Sequence, residues 1–504
     1  MTKKYIEKIL TARVYDVAAE TPLDEAVTMS KRQNNRVLLK REDLQSVFSF
    51  KLRGAYNRIY QLTRTKDVKG VVAASAGNHA QGVALSAKKM GIDATIVMPK
   101  TTPGIKVDAV KSYGAKVVLV GDNYDEACAY ATRQAKEQKL DFIHPFDDPD
   151  VIAGQGTIGL EIARQHPDFI DVVFVCVGGG GLIAGIGSIM KYLSPKTKVI
   201  GVEPADAACM TAAFEKNRRV VLDHVGIFAD GVAVKQVGKE TFRVAKQCVD
   251  QMLTVTTDEI CAAIKDIFDD TRSITEPAGA LAVAGLKKYV EQEGVSGQTM
   301  VAITSGANMN FDRLRHVSER AEIGEQREAL YAVTIPERPG SFKTFCKAIG
   351  KRGITEFNYR YADEKDAQVF VGVQLSDGMD ERLEVIERLQ KKKYPVLDLT
   401  EDEMAKTHVR YLVGGRAALA DEVLYRFEFP ERPGALLDFL VAIGNRWNIS
   451  LFHFRSHGDA FGRVLVGLQI PGTEHDQLRQ YLDTLAYPYW EETDNPAYQL
   501  FLSL

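Results

Sequence analysis

Short apolar runs alternate with longer helix-like stretches between about residue 35 and residue 310. The runs are rich in β-branched residues and most are bounded by Gly, Pro or Asp, which is typical of buried strands. The predicted strands are Val71–Ala74, Ala94–Met98, Lys116–Val120, Val172–Val177, Val199–Val202 and Thr299–Ile303. Such alternation predicts an α/β fold with parallel sheets that helices cover on both faces. Because these sheets bind ligands at the carboxyl ends of their strands, the segments that follow the runs form the candidate site.

Residues 323–504 show a tandem repeat instead of this alternation. The segment Leu330–Gly340, which ends in the letters PERPG, recurs as Leu424–Gly434. Each copy is predicted to form a strand, a turn, a helix, two strands, a helix and a final strand. This βαββαβ order predicts two ferredoxin-like α+β units. A repeat after a complete α/β domain more often binds a ligand or mediates assembly than enlarges a scaffold, although the scaffold interpretation stays open.

The predicted domain order follows from these two patterns. Residues 1–322 form the α/β domain, and residues 323–400 form the first repeat. A connector at residues 401–422 precedes the second repeat at residues 423–504.

Composition and charge exclude several classes of function. The chain has 64 basic and 67 acidic residues, and its net charge of −3 is too small to attract nucleic acid or an anionic membrane non-specifically. It has no run of ~18 apolar residues that could span a bilayer and no signal-peptide core. The six cysteines include no CxxC pair, which argues against a zinc site or a disulfide framework. We therefore expect no nucleic acid partner, no membrane partner and a cytoplasmic location.

Four polar or glycine-rich segments carry the candidate chemistry. They are Ser49–Gly54, which contains Lys51, and then Ser75–Gly82, Gly178–Leu182 and Thr304–Asn308. The last three follow predicted strands. Free backbone amides at a helix start suit a carboxylate, and successive glycines can curl their N–H groups around a phosphate. A lone lysine is usually a solvated charge, so Lys51 becomes a candidate only in combination with the other segments.

The glycine run also permits a dinucleotide-binding interpretation. A strand, a glycine loop, a helix and a second strand that ends in Glu203 are the parts of such a unit. A dinucleotide site would leave the Ser49–Gly54 and Ser75–Gly82 segments without a role. A small phosphorylated cofactor would use all four segments and is therefore preferred.

In combination, the four segments resemble those of the fold-type II pyridoxal-phosphate enzymes, and specifically of the biosynthetic threonine ammonia-lyases. The resemblance covers essentially the whole chain, including two C-terminal regulatory repeats of ACT-like type. It implies a two-lobed catalytic domain with parallel-type sheets, pyridoxal 5'-phosphate as the cofactor and a homotetramer.

The resemblance also implies roles for individual residues. Lys51 would hold the cofactor as a Schiff base, and Ser305 would face its pyridine nitrogen. The other cofactor contacts would be Phe50 beside the ring, Asn78 at the phenolic oxygen, and Gly178, Gly179, Gly180, Gly181 and Leu182 around the phosphate. The substrate carboxylate would dock at Ser75, Gly77, Asn78 and His79.

The implied reaction is the dehydration and deamination of L-threonine to 2-oxobutanoate and ammonia, the first committed step of isoleucine biosynthesis, with L-serine as a second substrate. A lysine in an apolar cleft has a lowered pKa, so Lys51 could take the proton from the substrate's α-carbon. A hydroxyl such as that of Ser305 does not favour protonation of the pyridine nitrogen as a carboxylate would, and we expect this to favour elimination over transamination.

The resemblance implies that the repeats bind branched amino acids, with isoleucine as the inhibitor and valine opposing it. Two repeats side by side can form apolar clefts with backbone amides at strand-to-helix turns, which suit a small zwitterion. We expect effector contacts at Asn358, Tyr359 and Arg360 in the first repeat and at His453, Phe454 and Arg455 in the second.

Some alternatives stay open at this point. Serine dehydratases and serine racemases share the cofactor motifs, and a non-catalytic amino-acid sensor could retain the scaffold. Related serine racemases bind a divalent cation through a Glu and an Asp six positions later. Here Glu203 is followed at that position by Cys209, so no Mg²⁺ or Ca²⁺ site is expected. Glu276 either begins a helix or faces the cofactor side of the cleft.

Overall fold

The structure is a computed structural model. It describes residues 3–311, 313–362, 365–417, 419–430, 434–443, 446–455, 461–485 and 487–502. The chain divides into two compact units, Met1–Ala321 and Glu322–Leu504. In the second PERPG segment, residues 431–433 lie outside the described residues.

The first unit alternates strands with helices along the chain. Its elements are α1 (Lys3–Leu10), β1 (Leu23–Glu25), α2 (Val27–Gln33), β2 (Arg36–Arg41), α3 (Lys51–Thr65), β3 (Val71–Ala74), α4 (Asn78–Met90), β4 (Ala94–Met98), α5 (Gly104–Ser112), β5 (Lys116–Leu119), α6 (Tyr124–Glu137), β6 (Asp141–Phe142), α7 (Pro149–Gln165), β7 (Val172–Cys176), α8 (Gly181–Leu193), β8 (Lys198–Pro204), α9 (Cys209–Glu215), α10 (Lys239–Cys248), β9 (Gln251–Val255), α11 (Thr257–Thr271), α12 (Pro277–Glu293) and β10 (Thr299–Thr304). Helix α13 (Arg313–Gly324) leads into the second unit.

Two sheets form the centres of two lobes in the first unit. The larger sheet has the strand order β1-β2-β10-β7-β8-β9, in which β1 pairs antiparallel with β2 and the other pairs are parallel. The smaller sheet has the order β5-β4-β3-β6 and is parallel throughout. Buried side chains of β7, β8 and β10 form one apolar core with those of α11 and α12. Among the described residues, no helix combines the length and the apolar character needed to span a bilayer.

The predicted α/β fold class is confirmed, and each predicted strand is observed within two residues of its expected bounds. The prediction missed β1, β2, β6 and β9. Strand β2 escaped because Lys40 and Arg41 interrupt its apolar run, yet both side chains are buried in ion pairs. Charge on a strand indicates solvent exposure only when no buried counter-ion is available, and sequence alone does not reveal the counter-ion.

The second unit contains the two predicted βαββαβ repeats. The first repeat has β11 (Glu328–Pro336), α14 (Ser341–Ile349), β12 (Ile354–Arg360), β13 (Asp366–Gln374), α15 (Gly378–Lys391) and β14 (Val396–Asp398). Helix α16 (Glu403–Thr407) follows it. The second repeat has β15 (Glu422–Pro430), α17 (Ala435–Ile443), β16 (Asn448–Arg455), β17 (Phe461–Gln469), α18 (His475–Leu485) and β18 (Tyr489–Glu491), and α19 (Pro496–Phe501) comes last.

Both repeats contribute to one antiparallel sheet. Its order in the described residues is β14-β11-β13-β12-β16-β17-β15-β18, and the repeats join where β12 pairs with β16. The glycine that ends each PERPG segment has a positive φ, +86° at Gly340 and +90° at Gly434. Glycine adopts this left-handed conformation readily, which explains why both copies of the turn end in it.

Candidate active site

Lys51 lies at the start of α3, where the backbone is held against the end of β10. The backbone N–H of Phe50 donates to the carbonyl oxygen of Ser305 at 3.3 Å, and Ser49 forms an isolated bridge with Gly306. The Lys51 Nζ lies 5.2 Å from the centre of the Phe50 ring. Burial by surrounding protein atoms lowers the pKa of Lys51. The structure therefore provides an amine that loses its proton more readily than an exposed lysine does.

A buried ion-pair network fixes the first turn of α3. Arg53, two residues beyond Lys51, donates through Nε to Glu42 Oε2 at 2.8 Å and through Nη1 to Glu161 Oε1 at 2.6 Å. Lys40 Nζ lies 2.7 Å from Glu161 Oε2. The side chains of all four charged residues are inaccessible to solvent. The network joins α3 to α7 and to the end of β2, so the position of Lys51 depends on both. Sequence analysis assigned no role to these residues.

Asn78, the first residue of α4, contacts two side chains from distant parts of the chain. Its Nδ2 donates to Glu276 Oε1 at 2.6 Å, and its Oδ1 accepts from Asn308 Nδ2 at 2.6 Å. Glu276 is buried, and burial together with the charge of Asp230 raises its pKa to about 7. Glu276 precedes α12, and its contact with Asn78 brings it to a residue that is predicted to bind the cofactor.

The glycine run between β7 and α8 has no room for side chains. A Cβ on Gly179 would lie 2.2 Å from the ring of Phe146, and one on Gly178 would lie 2.9 Å from the Cα of Val232. Gly180 has a φ of +92°, and α8 begins at Gly181 without a side-chain cap. The next residue, Leu182, is buried. The run therefore leaves the N–H groups at the start of α8 open to an anion.

Ser305 lies at the end of β10, next to a cysteine that sequence analysis left without a role. The Ser305 hydroxyl donates to the carbonyl oxygen of Ala278 at 3.2 Å. Cys176, the last residue of β7, is buried close to Ser305 and Lys51, and burial raises the pKa of its thiol to about 11. Both side chains are therefore uncharged at neutral pH. Cys176 was missed because it resembles the other apolar residues of its strand.

The predicted carboxylate-binding residues surround the start of α4. The Ser75 hydroxyl accepts from the backbone N–H of Gly77 at 3.2 Å. The ring of His79 is buried, and its Nε2 lies 2.9 Å from the carbonyl oxygen of Ile143. Because a carbonyl can only accept, Nε2 is the protonated nitrogen. Burial, with a contribution from Lys51, lowers the pKa of His79 to about 3, so the ring is neutral.

These residues fit a small phosphorylated cofactor that carries a carbonyl group. The glycine run is a cradle that a Cβ would fill, and Lys51 is an amine of lowered pKa. The hydroxyl of Ser49 is buried and, among the described residues, has no hydrogen-bond partner. A buried hydroxyl without a partner costs free energy unless a ligand or water satisfies it.

The Glu203 side chain is engaged at the start of α9. Its carboxylate accepts from the backbone N–H of Met210 at 2.7 Å and from the N–H and hydroxyl of Thr211 at 2.8 and 2.7 Å. It thereby satisfies the first turn of α9. In the part of the chain that the structure describes, no group of three His, Cys, Asp or Glu side chains could hold a metal ion.

The predicted effector residues lie on β12 and β16, where the repeats meet. Asn358 is opposite His453, and Phe357 is opposite Phe454. The backbone of Arg455 pairs with Glu356, but the side chain of Arg455 lies outside the described residues.

The side chains of the three predicted effector residues on β12 are engaged within the second unit. Asn358 Nδ2 donates to the carbonyl oxygen of Arg410 at 3.0 Å, and the Tyr359 hydroxyl donates to Glu337. Arg360 forms a buried ion pair with Glu422, with Nη2 at 3.2 Å from Oε2. These contacts connect the first repeat to the connector and to the second repeat.

A small cleft of about 10 Å³, room for one water molecule, lies between the first PERPG turn and the second repeat. Its lining is largely apolar apart from three polar or charged residues, and it comprises Arg338, Pro339, Gly340, Phe342, Lys343, Leu440, Ile443, Trp447, Asn448 and Ile449. No prediction from the sequence included this cleft. The available signal was the PERPG turn itself, which both copies retain.

Comparisons with known proteins bear on both units. The model of the pyridoxal-phosphate-dependent enzyme family matches residues 14–306. The model of the C-terminal regulatory domain of threonine dehydratase matches residues 319–409 and 413–502. The first unit therefore has the fold of a pyridoxal-phosphate-dependent enzyme, and pyridoxal phosphate is its cofactor.

Relatives cover the whole chain. The biosynthetic L-threonine dehydratase of Burkholderia multivorans is 56% identical over 503 residues and covers 99% of both chains. That of Escherichia coli is 52% identical over 501 residues, 99% of this chain and 97% of the relative. The solved processed form of threonine deaminase isoform 2 from Solanum lycopersicum has a TM-score of 0.62 and 51% identity, and covers 63% of this chain and 92% of that one.

The chain belongs to the biosynthetic threonine dehydratase (threonine ammonia-lyase) family. The predicted lyase class and cofactor are thereby confirmed. The solved structure of maize serine racemase, with a TM-score of 0.58 and 30% identity over 62% of this chain and 96% of that one, has the same catalytic fold.

Proposed function

We propose that the chain catalyses the dehydration and deamination of L-threonine to 2-oxobutanoate and ammonia. The observation that carries the proposal is the buried amine of Lys51, whose pKa is lowered. The neighbouring residue Phe50 is hydrogen-bonded to Ser305, and the glycine run lies in the same unit. The relatives named above carry threonine dehydratase in their names. We assign to Lys51, Phe50, Asn78, Ser305 and Gly178–Leu182 the cofactor contacts expected from the sequence.

Lys51 has two tasks in this proposal. Pyridoxal phosphate, when bound, supplies a carbonyl carbon that links to amines and a conjugated ring that withdraws electrons from the substrate's α-carbon. In the resting enzyme, Lys51 Nζ is the attachment point. Because its pKa is lowered, more of the amine is unprotonated and able to attack a carbonyl. As a free amine, Nζ would also act as the base that takes the proton from the substrate's α-carbon.

The start of α4 orients the substrate. The first N–H groups of a helix lack partners within the helix, and they favour an anion. Ser75, Gly77, Asn78 and His79 therefore bind the substrate carboxylate in our proposal, with His79 neutral throughout.

Ser305 and Cys176 keep the position of the pyridine nitrogen free of negative charge. The thiol of Cys176, with a pKa of about 11, remains protonated at neutral pH. Neither group draws a proton onto the ring nitrogen as a carboxylate would. We propose that the ring therefore stabilises negative charge from the α-carbon less strongly, which favours loss of the β-hydroxyl over transamination.

The test combines a spectrum with an initial rate. The purified protein reconstituted with pyridoxal phosphate is expected to be yellow and to release 2-oxobutanoate from L-threonine. Lys51→Ala is expected to abolish both properties. Lys88 is an exposed lysine near the C-terminal end of α4, and Lys88→Ala is expected to leave both properties unchanged. A coloured protein that is inert towards L-threonine and L-serine would contradict the proposal.

L-serine is proposed as a second substrate. It differs from L-threonine by one methyl group, and a pocket discriminates such a difference by only about 1–3 kcal/mol. Because the solved structure of maize serine racemase is similar to this chain, the same assay should also measure racemase activity. That activity would produce D-serine from L-serine.

We propose that residues 323–400 and 423–504 form the regulatory part, joined by the connector 401–422, and that residues 1–322 are catalytic. Isoleucine inhibits and valine opposes it, with contacts at Asn358–Arg360 and His453–Arg455. Control of this kind typically involves a coupling free energy of about 1–3 kcal/mol.

Removal of residues 323–504 tests the regulatory assignment, and the remaining catalytic part is expected to retain some lyase activity. The shortened protein is expected to lose its response to isoleucine and to valine, measured as initial rates with and without each amino acid. Inhibition that persists would contradict the assignment. We further propose that the protein is a homotetramer, which light scattering can test, and that it lies in the cytoplasm, which cell fractionation can test. In our proposal its reaction contributes to isoleucine biosynthesis.

A further inference from the structure

Asn308 and Glu276 contact the amide of Asn78 at its two different atoms. Asn308 Nδ2 lies 2.6 Å from Asn78 Oδ1 and also 2.8 Å from the carbonyl oxygen of Val47. Asn78 Nδ2 lies 2.6 Å from Glu276 Oε1. The three side chains come from the start of α4, the segment after β10 and the residue before α12. They form one continuous chain of hydrogen bonds.

The carbonyl oxygen of Val47 sets the direction of this chain. A backbone carbonyl can only accept, so the atom of Asn308 that faces it must be the amide nitrogen. The same nitrogen also contacts Asn78, which must therefore present its oxygen to Asn308. The nitrogen of Asn78 is thereby directed to Glu276. These contacts alone fix the orientation of the Asn308 and Asn78 amides, without any assumption about hydrogen positions.

We propose that Asn308, together with Glu276, is a positioning residue that fixes the amide of Asn78 so that an N–H group faces the phenolic oxygen of the cofactor. This inference rests on the proposed contact of Asn78 with that oxygen. Asn78 Nδ2 carries two hydrogens, and Glu276 uses one of them. The second is available to the cofactor. In the reversed orientation, the Asn78 oxygen would face the phenolic oxygen, and two acceptors repel each other.

Asn308→Asp tests the proposal because it keeps the shape of the side chain and removes the donor. The new carboxylate would meet acceptors at Val47 and Asn78, so the Asn78 amide is expected to rotate and offer its nitrogen to it. We expect the visible absorption maximum of the holoenzyme to shift and the dissociation constant of pyridoxal phosphate to rise at least tenfold. We also expect kcat to fall by a larger factor than KM rises. An unchanged spectrum and dissociation constant would overturn the proposal.

The double variant Asn308→Asp with Glu276→Gln separates positioning from a merely structural role. The new glutamine amide can donate to the Asn78 oxygen while the new carboxylate accepts from the Asn78 nitrogen, so both contacts of Asn78 are satisfied in reverse and only the carbonyl oxygen of Val47 loses its donor. The denaturation midpoint is expected to recover towards the wild type, while the absorption maximum and the cofactor dissociation constant stay altered. If these two recover together with the midpoint, the residues are only structural and the proposal is wrong.

Asn35→Asp is the matched control. Asn35 is a buried asparagine of the same unit whose Nδ2 donates to the carbonyl oxygens of Gln33 and Val295 at 2.7 and 3.0 Å. Its replacement is expected to lower stability without moving the spectrum. Should Asn308→Asp not fold, Asn308→Ala, which removes the donor without adding a charge, is expected to raise the cofactor dissociation constant in the same direction. A wild type that takes up no pyridoxal phosphate would instead refute the proposed function.

Discussion

The guanidinium of Arg53 donates to the carboxylate of Glu161 at 2.6 Å, and neither side chain is accessible to solvent. Arg53 also pairs with Glu42, and Lys40 shares Glu161, so two cations and two anions balance inside the first unit. Removing one member of a buried pair leaves an uncompensated charge, which costs much more than a surface pair contributes. The start of α3, which carries Lys51, depends on this balance.

Arg53→Ala is therefore expected to destabilise the protein by about 3–5 kcal/mol, measured by chemical denaturation of the holoenzyme. Arg164→Ala provides the control, because Arg164 lies on the same helix as Glu161 but pairs with Glu20 at the surface. This control is expected to leave the denaturation curve nearly unchanged. Equal effects of the two substitutions would show that the buried Arg53 network contributes no more to the free energy of unfolding than a surface ion pair does.

Gly179→Ala is expected to lower the amount of bound cofactor. The new Cβ would lie 2.2 Å from the ring of Phe146, so either the ring or the glycine run must move. Cofactor content per chain, measured from absorbance after reconstitution, is expected to fall several-fold. Gly104→Ala is the comparison, since a Cβ there meets nothing within 4 Å. Full cofactor content in Gly179→Ala would argue against the glycine run as the phosphate site.

Glu276→Gln is expected to change how stability depends on pH. Burial and the charge of Asp230 raise the pKa of Glu276 to about 7 from the model-peptide value of 4.5. The folded protein therefore holds a proton that the unfolded chain releases between these values. The resulting stabilisation is complete below pH 4.5 and is lost as the pH rises through about 7, by about 3 kcal/mol in total.

Denaturation midpoints of the wild type and Glu276→Gln, compared from pH 5 to pH 8, check this expectation. The variant lacks the titrating group, so its stability relative to the wild type should increase with pH. A difference that stays constant over this range would show that Glu276 ionises as it does in solution.

Arg360→Ala is expected to weaken regulation more than catalysis. Arg360 of β12 pairs with Glu422 of β15 and so connects the two repeats within the second unit. Its loss leaves Glu422 buried without its cation, which should disturb the join between repeats. The concentration of isoleucine for half inhibition is expected to rise, while the rate without isoleucine stays within about twofold.

Arg388→Ala is the control for this substitution, because Arg388 forms a more exposed pair with Glu384 in the same unit. It should leave the isoleucine response unchanged. If Arg360→Ala retains a wild-type response, the connection between the repeats does not contribute to regulation.

The parts of this molecule that depend on local order were predictable from the sequence. Apolar runs gave the strands, the glycine run gave the turn before α8, and the PERPG letters gave the duplicated βαββαβ order. These features depend on neighbours a few residues apart, so periodicity and turn chemistry report them directly. The resemblance then supplied the roles of Lys51 and Ser305.

Contacts between distant segments could not be predicted in the same way. Asn78 and Glu276 are 198 positions apart, and Asn78 and Asn308 are 230 apart, so only the fold brings them together. The buried charges of β2 were misleading for the same reason, because the partner of Lys40 lies on α7. Each residue looks ordinary in its own segment, and its role depends on the side chain that faces it.

The pairing of β12 with β16 has a further consequence for the second unit. A single βαββαβ unit would expose one of these long strands at the edge of its sheet, with unpaired N–H and C=O groups that could recruit strands from other molecules. In the joined sheet, each repeat covers that edge of the other. The strands left outermost are β14 and β18, each only three residues long. Duplication thus protects this unit against edge-to-edge aggregation.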